Sequence, residues 1–431
     1  MSSNPASSST SPHPPHPLRP SGSTKPDLAL TPVRKPPSDE PSRVEVDLSR
    51  IDHNYRVLSG LLGPGVEVCA TVKKDAYGAG AVPVALRLSK LGASMFCVFT
   101  PAEAEQLVSR SVTAPILILM PVRGLDRTDT LYRHAVAERL HLTIHDAEQL
   151  AAVNGIGQRF GIRLPIHLYL DIGMSRAGLT AEQCAAMLKD EGSRRYLRLA
   201  GLYTHFSSAD SDPDTTAEQH ERFMSFVEEH RDTIPDDCLI HACNTSGLLR
   251  DPAYHGSMVR PGLGLLGYAP GVWPADLAAP EELKPVLRWV SRLIHVQRMP
   301  KSSPVGYAST HVLKRDSVLG VVPVGYGDGY PLALSNQGSV RVQPRDLTRA
   351  TADCPVLGRV SMDQIVVDLT ALVDDVESDA ALTALMDAEA ELYSDDPDAP
   401  HALQKLADLA GTHVYELLTR LNPAIPRRYL S

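Results

Sequence analysis

The feature that most constrains this chain is an alternation: short apolar, β-prone segments are followed by helix-like stretches, eight times in succession. The candidate strands lie at 67–72, 95–99, 116–119, 142–145, 166–170, 200–204, 239–242 and around 258–266. The stretches between them have helical character, as at 101–110 and 216–230. A helix is also expected at 49–62, with Ser49 and Asp52 spaced as a capping box and Gly63-Pro64 as the stop. Eight strand–helix units in about 230 residues fit a closed, TIM-like (β/α)8 barrel of parallel strands. An open doubly wound sheet is the rival. No G-x-G-x-x-G follows the first strand, which counts against its dinucleotide-binding form.

The texture changes on either side of this repeat. After Pro285 the segments 286–296, 317–323, 339–342 and 365–369 are β-rich and broken by Gly, Pro and Asp, and helices return only at 380–392 and 401–409. The expectation is therefore an α/β chain, with a barrel at 43–283 and a mainly β domain at 284–431. Residues 1–42 are rich in Ser and Pro and carry almost no apolar clusters, so a disordered tail is expected there. That tail lacks the apolar centre of a secretory signal. Its shortage of acids leaves a transit peptide open, although no amphipathic helix is visible.

Composition narrows the partners. Charged residues make up 22% of the chain and the net charge is −9, which argues against nucleic acid or an anionic membrane as the main partner. No apolar run is long enough to span a bilayer. The six cysteines are scattered without a C-x-x-C pair, so no structural metal site and no disulfide framework is expected. A cytoplasmic location is the simplest expectation.

In a parallel barrel, chemistry gathers where the strands end. Lys73 ends the first expected strand, Asp171 and Arg176 follow the fifth, and His205 ends the sixth. Asn244 and Thr245 follow the seventh, and Arg260 stands at the eighth. Each alone is more often structural than catalytic; their shared placement on one rim is what singles them out. A strand-end lysine suits Schiff-base formation, because burial near cations lowers its pKa and frees the amine. A phosphate would find backbone amides and hydroxyls at Gly262 and at the Asn244-Thr245-Ser246-Gly247 turn. By itself Arg260-Pro261-Gly262 reads as an ordinary turn.

Several stretches together resemble the alanine racemases, enzymes that bind pyridoxal 5'-phosphate on a barrel of this kind. Residues 70–78 read Ala-Thr-Val-Lys-Lys-Asp-Ala-Tyr-Gly, like the family's cofactor-lysine signature. The likeness continues at 171–178, 201–206, 258–262 and 283–286, and in the second domain at 305–307, 325–330, 358–364 and 412–416. It covers nearly everything after Arg43, in order, and the number of motifs makes it specific. The resemblance implies that Lys73 binds the cofactor aldehyde and is one catalytic base. Tyr307 would be the opposite base, reaching from the second domain into the barrel of a partner in a homodimer with shared sites. Arg260 would bond the pyridine nitrogen and Arg176 the phenolic oxygen, with His205 near the ring. Tyr77, Asn244, Thr245, Gly262, Leu263 and Tyr415 would line the cofactor and its phosphate. Arg176, Met362, Asp363 and Tyr326 would receive the substrate. The implied reaction interconverts L- and D-alanine and supplies D-alanine for peptidoglycan.

Two departures from the family pattern stand out. Family members usually carry a carbamate-modified lysine where this chain has Tyr169. By strand alternation His167, Tyr169 and Asp171 share a face, expected to point inward. A neutral phenol can hold Arg176 only by a hydrogen bond, so substrate affinity or selectivity is expected to differ. The second departure is the acidic stretch 373–400, expected to be a solvated insertion. Three readings compete at this point: an alanine racemase, a broad-specificity racemase of the same family, and a non-catalytic cofactor-carrying barrel. The β domain with Tyr307 and Met362 counts against the carrier. The absence of a Glu-Pro-Gly phosphate loop counts against a decarboxylase of similar architecture.

Overall fold

The computed structural model describes residues 40–431 apart from 270, 272, 274–278 and 346–349. The expected tail therefore lies outside the described residues except for its last three. Of these, Ser42 is buried and accepts a hydrogen bond from the Trp289 indole at 2.8 Å, so ordered chain begins before Arg43.

The first strand, β1 (Arg43–Asp47), leads into a helix at Leu48–Gly60. The cap is Asp47, earlier than the expected capping box. Its carboxylate accepts from the amides of Ser49 and Arg50 at 2.8 and 3.3 Å. A carboxylate at a helix N-terminus satisfies two free amides and meets the positive end of the dipole.

The eight expected barrel strands are all present. They are β2 (Glu67–Thr71), β3 (Met95–Val98), β4 (Ile116–Ile118), β5 (Leu140–Ile144), β6 (Leu164–Tyr169), β7 (Leu197–Tyr203), β8 (Leu239–His241) and β9 (Met258–Val259). All pair in parallel, in the order β8-β7-β6-β5-β4-β3-β2-β9. Backbone bonds from Ser257 to Ile240 and from Arg260 to Cys243, both 2.8 Å, draw β9 against β8 and nearly close the barrel. The eighth strand is far shorter than expected. Pro261 has no amide to continue it, and 263–266 form a 3-10 turn instead.

The second domain carries β10 (Leu287–Arg292), β11 (His295–Met299), β12 (Pro304–Val305), β13 (His311–Val312), β14 (Ser317–Val322) and β15 (Ser339–Gln343). It continues with β16 (Ala352–Leu357), β17 (Ile365–Asp368), β18 (Glu389–Tyr393) and β19 (Arg427–Leu430). Nine strands form one sheet in the order β11-β14-β17-β16-β15-β18-β10-β1-β19. Thus β1, expected within the barrel segment, pairs with β10 and β19 of this sheet. The run at 286–296 is two strands, broken at 293–294. The helix expected at 380–392 ends at Leu385, and the chain then enters β18, an interior strand of the sheet.

That corrects the reading of 373–400 as a solvated insertion only around β18; Asp374, Asp375, Glu377, Asp396 and Asp398 are exposed as expected. Arg288 bonds Glu391 at 2.6 Å and Glu389 at 2.7 Å, and Arg43 bonds Glu389 at 2.9 Å. Glu45 joins through Arg43 at 2.8 Å and Arg288 at 3.3 Å. Cross-strand partners neutralise the carboxylates, so an acidic segment can sit inside a sheet.

Candidate active site

Past β2 the chain turns abruptly. Lys74, Asp75, Ala76 and Tyr77 all have left-handed backbones, with φ of 52°, 54°, 50° and 55°. Each such residue costs roughly 1–2 kcal/mol, so the turn must be held from outside. The Asp75 carboxylate accepts from the Ala81 amide at 2.7 Å, its carbonyl accepts from Gly80 at 2.8 Å, and Glu103 accepts from the Lys74 amide at 3.0 Å. Such a tight left-handed turn sets Lys73 and Tyr77 on the wall of the same cavity, of about 370 Å³, at the C-terminal mouth of the barrel. Burial lowers the Lys73 pKa and the nearby Arg176 and Arg260 push the same way, against Cys97 and Glu103. More of the amine is then free to act as nucleophile or base.

The same cavity is lined by Arg176, His205, Asn244, Thr245, Arg260, Gly262, Leu263 and Tyr415. Residues from widely separated segments therefore meet at one rim. Arg260 is buried, with its Nη2 donating to the carbonyls of Thr204 and Ala242 at 2.8 and 3.0 Å and its Nη1 to His241 at 2.6 Å. Its Nε–H has no partner among the described residues. His205 stands beside it, with Nδ1 3.4 Å from Nη2. Burial, then Arg260, Arg176 and Lys73, drive the His205 pKa well below the usual imidazole range.

At the phosphate end the arrangement differs from the expectation. The amides of Gly262 and Gly264 both donate to Thr245 Oγ1 at 3.1 Å. The Gly262 amide is therefore already engaged, and the Thr245 hydroxyl proton is left to donate. The Leu263 amide, Tyr77 and Tyr415 add donors beside it. Gly262 matters for a different reason: a Cβ there would collide with the Tyr77 hydroxyl. Asn244 caps the helix Thr245–Arg250 by accepting from Gly247 at 2.9 Å. The set fits pyridoxal phosphate: an amine for the aldehyde, a free guanidinium N–H for the ring, and hydroxyl and amide donors for the phosphate.

The remaining sequence candidates lie elsewhere on the chain. Tyr307 and Tyr326 line a second cavity of about 520 Å³ with Pro331, Leu332, Arg359 and Arg420. Met362 and Asp363 are exposed on the adjoining loop, where the Met362 carbonyl accepts from Gly327 at 2.9 Å. Tyr307 is 68% exposed. None of these four lines the barrel cavity of its own chain. Thr71, Cys97, Phe99, Leu119, His145 and Tyr203, none of them among the sequence candidates, line it too. Strand alternation could have found Tyr203, two residues before His205. Among the described residues no His, Cys, Asp and Glu side chains group to hold a metal ion, and no helix is long and apolar enough to cross a membrane.

The family model for the alanine racemase N-terminal domain matches residues 46–270, and that for the C-terminal domain matches 286–429. The alanine racemase of Halothermothrix orenii is 30% identical over 390 residues, covering 90% of this chain and 97% of that one. The crystal structure of alanine racemase from D-cycloserine-producing Streptomyces lavendulae superposes with a TM-score of 0.78 at 27% identity, over 92% of this chain and 98% of that one. An alanine racemase from Bartonella henselae, solved with covalently bound pyridoxal phosphate, shares the fold with a TM-score of 0.73 at 24% identity, over 90% and 99% of the two chains. With both domains matched in order and a lysine-centred cavity at the barrel mouth, this chain is an enzyme, an isomerase that belongs to the alanine racemase family.

Proposed function

We propose that the chain interconverts L- and D-alanine with pyridoxal 5'-phosphate, using Lys73 and Tyr307 as bases on opposite faces of the substrate. The observation that carries this reading is the gathering of Lys73, Arg260, His205, Arg176 and the Thr245–Leu263 donor cluster around one cavity. When bound, the cofactor supplies an electron sink for the charge left as the α-proton departs. Lys73 Nζ takes or returns that proton on one face. The Tyr307 hydroxyl does so on the other, contributed by a second copy of the chain in a homodimer. Arg176 and the Met362 amide receive the substrate carboxylate, with Asp363 and Tyr326 at the entrance. Arg260 would hold the ring nitrogen as a donor and, unlike a carboxylate, would leave it unprotonated. With that nitrogen unprotonated, Lys73 and Tyr307 would return the proton to the α-carbon in preference to transamination. All six cysteines are buried and unpaired, as a reducing cytoplasm would leave them, and D-alanine would serve peptidoglycan there.

The test is incubation of the purified full-length chain and pyridoxal phosphate with L-alanine in heavy water. D-alanine carrying deuterium at Cα is expected, and borohydride treatment of the loaded protein is expected to label Lys73. Carbon dioxide release, no exchange, or a label on another residue would overturn the reading.

A further inference from the structure

Behind Arg260, outside the cavity, three buried histidines stand in a column. Arg260 Nη1 is 2.6 Å from His241 Nδ1, His241 Nε2 is 2.9 Å from His167 Nδ1, and His167 Nε2 is 2.8 Å from His141 Nδ1. The column crosses the barrel interior from β8 past β7 to β6 and β5. It can pass β7 because Gly201 has no side chain; a Cβ there would collide with the His167 ring.

The proton positions are set by one fact. A guanidinium only donates. His241 Nδ1 must therefore accept, and its single proton sits on Nε2. That proton faces His167 Nδ1, which must accept in turn, so His167 is also protonated at Nε2. By the same logic the His141 proton sits on Nε2, with the backbone carbonyl of Glu138 beside that ring. A second proton on any ring would set two donors face to face. The surroundings agree: burial and neighbouring positive charge drive His167 and His241 far towards the neutral form and take His141 down to about 3.

We infer that His141 and His167 are positioning residues for the reaction, forming with His241 a tautomer-ordered column that holds the Arg260 guanidinium in one orientation with its Nε–H left for the cofactor ring. The function of that N–H rests on the reading given under Proposed function; the column itself does not. Two carbonyls fix Nη2, but Nη1 has only His241. A tautomer flip anywhere along the line would put an N–H against Arg260 or strand a buried donor, and either loses a hydrogen bond that burial leaves unreplaced. A loosened Arg260 would let the ring nitrogen take up a proton. Alanine would then be converted more often to pyruvate, its amino group passing to the cofactor to give pyridoxamine phosphate.

Long-range ¹H–¹⁵N NMR on the full-length chain labelled at histidine, with and without pyridoxal phosphate at neutral pH, reads the tautomers directly. All three rings are expected as Nε2–H forms; an Nδ1–H form or an imidazolium at any of them overturns the column. His141→Leu removes the last acceptor, whereas His141→Asn returns a carbonyl oxygen near the place of Nδ1. The leucine variant is expected to lose on the order of tenfold in kcat with KM within about twofold. It should also complete fewer racemisations per cofactor converted to pyridoxamine phosphate. The asparagine variant is expected to regain most of both. A leucine variant that only melts earlier, with kcat and the side-reaction ratio unchanged, would make the column structural and end the proposal. The tautomer pattern decides the column even if the unaltered chain fails to racemise alanine, so the two readings fail separately.

Discussion

Tyr169 shows how much one side chain changes around a shared scaffold. Its ring stacks on Tyr203 at 4.7 Å and 6°, and Tyr203 stacks on His241 at 4.9 Å and 6°. Arg260 lies 5.0 Å from the Tyr203 ring centre. The pile of rings joins the Arg176 side of the cavity to the Arg260 side. Burial raises the Tyr169 phenol, and the neighbouring Arg176 guanidinium pulls it back. The hydroxyl's hydrogen bond runs to Met174 Sδ at 4.0 Å, and Arg176 meets it as a charge beside a neutral dipole, where a carbamate would act through full charge. Tyr169→Phe keeps the stack and deletes only that oxygen. Steady-state kinetics on alanine are expected to show KM up about fivefold, near 1 kcal/mol, with kcat within about twofold. An unchanged KM would mean that the phenol does not hold Arg176.

Among the elements, β18 was the hardest to read from sequence. Glu389 and Glu391 fall inside the acidic stretch 373–400, and their partners are remote: Arg288 lies about a hundred positions earlier and Arg43 far before that. Only strand pairing brings those charges together. Burial would raise the Glu391 carboxyl, yet hydrogen bonds from His401, Ser394 and Arg288 hold it at about 2. A carboxyl whose folded pKa lies below its unfolded value stabilises the fold above the unfolded pKa, and that stability is lost as pH falls. Arg288→Met removes the central cation and leaves Glu391 and Glu45 buried without it. Urea denaturation at pH 7 is expected to show a loss of about 3 kcal/mol. The gap from the unaltered chain should narrow as pH falls from 4.5 towards 2, since a stranded carboxyl escapes its cost by taking up a proton.

At the scale of the whole molecule, the proposed function divides the site between two surfaces. The lysine half lies in the barrel mouth. The tyrosine half, with Tyr307, Tyr326 and Met362 at 68%, 47% and 55% exposure, faces outward from the β domain. Exposed apolar and aromatic side chains around a cavity suit burial against another surface, and a two-fold pair of chains would complete both sites. Chains carrying Lys73→Ala and chains carrying Tyr307→Phe should each be nearly inactive. Mixed and allowed to exchange, they are expected to regain roughly a quarter of the unaltered rate, because half the dimers are hybrids with one intact site each. Hybrid dimers shown to form without activity would contradict a shared site.

The succession of strands and helices is legible along the chain, because hydrophobic periodicity is local and each segment carries its own. The sequence also marked Lys73, Asp171, Arg176, His205, Asn244, Thr245 and Arg260 as one group, because in a parallel barrel every strand ends on the same rim; of these Asp171 does not line the cavity, its carboxylate accepting from the amides of Gly173, Met174 and Ser175. Tertiary structure alone decided that β1 belongs to the far sheet, that an acidic segment is an interior strand, and that Thr245 takes up the Gly262 amide. It alone placed His141, His167 and His241 in line behind Arg260. These are matters of which distant groups meet, and the hydrogen bonds and charge pairs that settle them join residues tens to hundreds of positions apart.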